Sequence, residues 1–281
     1  MTSTQPPAQH ATAQQAPARP AAAAANRAGV LALFRADLSN YSRRWSTWVP
    51  LLLALALGAL MLAQTLTMEG PTDGPPRRVT PDDLTVALGA LSVVVAGGTG
   101  YLAGAAWMGF EHTSGALGTW LTFNPRRLRV WLSRLTVAVA FPTLLALTGL
   151  LAAGVPALFD GEAAAEWSQF FWPYLIVAAS FGALGFSIAS LGRHMLWALG
   201  AFAGYAAVAV LTEELPSYGD EPYLLHVALG DFLEGPRETA AYRAQEVLGM
   251  APHLAGGVVW VTFTVLVVAV ALIVFRRSSI D

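Results

Sequence analysis

Glu111 follows directly on a long apolar run, and an ionisable group at membrane depth is by default a candidate proton relay. Its place at the very end of that run favours a simpler role, an interfacial salt bridge to Arg126, Arg127 or Arg129. Other chemistry is hard to assemble from this chain. Glu111 is not part of an HExxH motif, because Phe110 and Ser114 stand where the two histidines would be, and no two of the 5 histidines are four apart. There is no cysteine, which removes disulfides and thiolate metal sites. Gly98 to Ala103 reads GTGYLA, a loose dinucleotide pattern, but it lies inside an apolar run and not after a strand. Phe186-Ser187-Ile188 lacks the GxSxG elbow. Lysine is absent, so no GxxxxGK[ST] phosphate loop exists in this chain. We therefore assign no catalytic residue and no metal ligand.

The elements that carry these residues follow from composition. The chain has 281 residues, 55% hydrophobic and only 12% charged, about half the charge of an ordinary soluble domain. A bilayer core about 30 Å thick needs roughly 20 helical residues. Runs of that length between charges predict an all-α polytopic membrane protein with six transmembrane helices, at about 49–68, 84–110, 135–157, 168–191, 194–212 and 253–275. A charge at a helix centre costs about 2.5–3.5 kcal/mol on insertion scales, and the central parts of these spans hold no Asp, Glu, Lys or Arg. All 16 basic residues are arginine, and with the abundance of alanine, glycine and leucine this suggests a GC-rich bacterial genome.

Arginine asymmetry sets the expected orientation. One side holds the N-terminal segment, residues 111–134, Arg193, Arg276 and Arg277, and the other holds only Arg77, Arg78, Arg237 and Arg243. The arginine-rich side is expected to be cytoplasmic, with both termini there, in a bacterial inner membrane. Residues 1–27 are rich in Pro, Gln and Ala and predict a disordered cytoplasmic tail. Residues 28–281 form the six-span domain. Its opening stretch, 28–48, predicts an interfacial helix, because Val30, Phe34, Leu38, Tyr41, Trp45 and Trp48 recur at steps of three or four with arginines elsewhere. The loop 213–251 is acidic with apolar patches, which suggests packing against the membrane face or a partner. Gly100 with Gly104, and Gly200 with Gly204, are GxxxG pairs suited to close helix packing.

Between the second and third spans the chain reads GFEHTSGALGTWLTFNPRRLRVWLSRL, Gly109 to Leu135. Leu117, Trp120 and Leu121 predict a short amphipathic helix that ends by Pro125, followed by arginines. Apolar side chains on such a helix, rimmed by charge, mark a protein interface.

This segment resembles the first cytoplasmic loop of the type-2 permeases of ATP-binding-cassette exporters. Glu111, Gly115, Leu117, Leu121, Pro125 and Arg127 match the family's spacing, and Arg134 stands where a lysine is usual. Ala116, Gly118 and Trp120 depart from the usual Thr, acid and Leu. The motif covers about 25 residues, and the six-span plan agrees over 28–277. The resemblance implies a permease subunit whose 111–128 loop is a coupling helix for a separate cytosolic ATPase. ATP and magnesium would be held by that partner, with no cofactor in this chain. It also implies a second permease copy, with a homodimer favoured over a heterodimer. The alternative is a membrane protein that works without an ATPase, either a secondary transporter or an intramembrane enzyme. That alternative calls for charged constellations at mid-membrane depth, which the spans lack. The lipid bilayer is the expected surroundings, and no nucleic-acid partner is expected.

Overall fold

The computed structural model describes residues 32, 35–45, 48, 49, 51, 52, 55 and 56, then 81–123, 127–155, 158, 159, 161–213, 228, 229, 232, 233 and 251–277. Among the described residues every regular element is helical and there is no strand. We label the helices α1 (Pro81–Thr113), α2 (Ala116–Phe123), α3 (Arg127–Ala153), α4 (Gly161–Gly192), α5 (Met195–Glu213) and α6 (Pro252–Arg277). A further helical stretch, residues 35–43, precedes them.

Among the described residues, four helices contain segments long and apolar enough to cross a membrane: Ala87–Thr113, Arg127–Ala153, Trp167–Gly192 and His253–Arg277. They correspond to the expected second, third, fourth and sixth spans. Helix α5 carries the expected fifth span, and the part of its apolar stretch that falls within the described side chains is Met195–Val208. The expected first span, 49–68, lies mostly outside the described residues, as do the tail 1–27 and most of the loop 213–251. Of that loop, Ala228, Leu229, Phe232 and Leu233 are described, and the last three with their larger side chains pack on the chain's own core.

Helices α1, α3 and α4 form the centre. The largest buried side chains are Trp107, Trp131 and Trp260, with Phe186 edge-on to Trp131 at 5.4 Å between ring centroids. Burying an indole or a phenol favours a partner for its polar atom. Trp131 Nε1–H donates to Ser190 Oγ at 3.1 Å, and Tyr101 O–H donates to the Ala198 carbonyl at 2.7 Å, which ties α1 to the start of α5. At the opposite end of the bundle, Trp167 Nε1–H donates to the Leu150 carbonyl at 2.8 Å and joins the end of α3 to the start of α4.

Close approach of the helices rests on small residues. Pro142 within α3 has no N–H, so the Ala138 carbonyl loses its intrahelical partner. The backbone of α4 fills that notch, because Gly182 packs directly on the Ala138 carbonyl and the Pro142 ring. From the other side, a Cβ at Gly100 would come within 2.6 Å of Pro142 Cγ, and one at Gly104 within 3.1 Å of the Gly182 carbonyl oxygen. The Gly100–Gly104 pair therefore lies in a three-helix contact. Gly200 and Gly204 behave differently, since a Cβ at either would meet nothing within 4 Å among the described residues. Their close-packing partner is not found within the described part of this chain.

These contacts predict opposite outcomes for two similar substitutions. Gly182→Ala should destabilise the purified protein by about 1–3 kcal/mol, because overpacking here strikes backbone. Gly200→Ala should leave folding of the single chain unchanged. Thermal unfolding in detergent checks both.

Candidate functional site

The arginine-rich end of the bundle holds the ionisable groups that the rest of the described core lacks. Glu111 lies near the end of α1 with its side chain 3% exposed, and Arg134 lies two turns into α3 with 1% exposed. Their carboxylate and guanidinium are paired through Glu111 Oε2 and Arg134 Nη1. The other carboxylate oxygen accepts from Trp107 Nε1–H at 2.9 Å, one turn earlier on the same helix, and from Arg44 Nη2–H at 3.3 Å. Asp37 approaches from the N-terminal helical stretch. Its Oδ1 is 3.9 Å from Arg134 Nε, and its Oδ2 accepts from Ser133 Oγ at 2.6 Å. Two acids and two arginines thus share one network without net charge, buried except at Arg44.

Two expectations change on this geometry. Glu111 is not an exposed headgroup-level residue paired locally; its partners are Arg134 and Arg44, from α3 and the N-terminal stretch. The physical reason is the antiparallel return of the chain. Two turns of α3 rise about 10 Å, which lifts Arg134 to the level of Glu111. For the same reason α3 begins at Arg127 and not after Arg134. A buried arginine inside a span is tolerable only when paired, and this one is. The Glu111 oxygens thus meet two guanidinium groups and an indole.

The N-terminal stretch also turns differently from its apolar periodicity. Asp37 and Tyr41 face inward at 2% and 0% exposure, while Leu38, Trp45 and Trp48 face outward. Tyr41 packs edge-on against Trp107 at 4.8 Å and Phe141 at 5.2 Å between centroids. The outward apolar set suits a bilayer surface, and the inward set is the polar latch. Burial pushes the Asp37 carboxyl above its ordinary 3.8; the Ser133 hydrogen bond and the Arg134 charge pull it back, and Glu111 adds to the rise. The folded chain therefore holds this proton more tightly than the unfolded one, so the carboxyl's contribution to stability falls as pH rises above 3.8 through that window.

Below the network sits α2. Gly115 has φ of 69°, a left-handed conformation in which a Cβ is strained. It lets α1 stop and α2 start with only Ser114 and Gly115 between them. Ser114 N–H donates to the Phe110 carbonyl at 2.9 Å, and the Gly115 carbonyl accepts from Thr119 N–H at 3.3 Å to open the next helix. Leu117 is 1% exposed and belongs to the same core cluster as Met108, Val130 and Trp131. It anchors α2 to its own chain. Leu121 is half-buried against that cluster, and Arg127, half-buried, opens α3. Trp120 lies in α2, but its side chain falls outside the described residues, as does Pro125. The described outward residues here are Thr113, Ser114, Gly115 and Thr119.

Asp37, Arg44, Trp107 and Ser133 were not singled out by sequence. One signal was available: Asp37 is the single acid in 28–48, and Asp37, Tyr41 and Arg44 stand at helical spacing. Among the described residues no group of three or more His, Asp or Glu could hold a metal ion.

Glu111→Gln should cost about 3–5 kcal/mol, because it leaves Arg134 buried with only Asp37, 3.9 Å away, to match it. Asp37→Asn should cost less, since an amide oxygen still accepts from Ser133 and Arg134 keeps its closer partner Glu111. Denaturant unfolding of the detergent-solubilised protein ranks the two.

Comparison with protein-family models finds no match, and no curated protein matches the sequence.

Proposed function

We propose that this chain is the permease subunit of an ATP-driven exporter, coupled through its 111–128 loop to a separate cytosolic ATPase. The observation that carries this reading is the short helix α2, set off by the left-handed Gly115 and held rigidly at the arginine-rich end beneath a buried ion network. A lever that transmits motion from a partner must be stiff relative to the spans, and the bracing by Leu117 and Glu111 supplies that stiffness. The resemblance of residues 109–135 to type-2 permeases points the same way. On this reading ATP and magnesium bind the partner, the arginine-rich end faces the cytoplasm, and a bacterial inner membrane is the setting.

A second copy of the chain completes the translocation path, and a homodimer is the simpler assembly. The outward face of α5 suits that role. Leu196 and Trp197 are exposed there, beside Gly200 and Gly204 with open space before them. Small residues four apart favour close helix approach.

The test uses the absence of native cysteine. Thr119→Cys, at an exposed position, should resist a membrane-impermeant maleimide on intact cells and label after lysis, while Ala240→Cys should label on intact cells. A photo-crosslinker attached to the thiol introduced at position 119 should capture a polypeptide that carries a GxxxxGK[ST] loop. Thr119→Arg should weaken that association about tenfold or more without lowering membrane yield. Labelling of position 119 from outside, or undiminished ATPase recovery with Thr119→Arg, contradicts the proposal.

A further inference from the structure

We draw no further inference here: the strongest candidate, the exposed apolar patch of Leu151, Val155, Leu158 and Phe159 at the end of α3 and in the turn toward α4, is an unpartnered face, and nothing in the structure shows what covers it.

Discussion

Glu111 and Arg134 meet out of water, each with almost no exposed side chain, and neither could remain there without the other. Such a pair adds little net stability against an apolar replacement, because desolvation offsets most of the attraction. Its worth lies in the arrangement it demands. The carboxylate must also meet the Trp107 indole and Arg44, and the guanidinium must also lie near Asp37. Those conditions hold together for one register of α1 against α3 and one placement of the N-terminal stretch.

The consequence reaches α2. That helix is only 8 residues long and would not be stable alone. Its start is fixed by Gly115, one helical turn beyond Glu111, and its inner face is fixed by Leu117 in the core. A displacement of α2 must therefore move α1 and α3 with it or break the network. The close contact of Gly100, Gly104 and Gly182 around Pro142 extends this rigid unit into α4. Parts so joined move as one body, which is what a coupling element requires.

Much of this fold was legible because a charge-free run of span length has few other uses. The helices of the second, third, fourth and sixth spans followed from that rule alone. The start of α3 was not legible. Arg127 to Arg134 reads as a basic loop until the acids that neutralise Arg134 are known, and one of them, Asp37, lies far away in sequence. Ion partners in this network come from three separate segments, so no local pattern reveals them. Glycine spacing had the same limit: Gly100–Gly104 and Gly200–Gly204 look alike, and only the presence of Pro142 and Gly182 opposite the first pair tells them apart. Gly115 was readable as a motif position, and its left-handed backbone supplies the physical reason for a glycine there.

The central claim is that Glu111 and Arg134 act as one buried unit. A double-mutant cycle on unfolding free energy, with Glu111→Gln, Arg134→Gln and the combined variant, tests it most directly. Each single change strands a charge, and the combined change removes both. The double variant should be more stable than the sum of the single losses predicts, by more than about 1.5 kcal/mol. Losses that add to within about 0.5 kcal/mol would contradict the account.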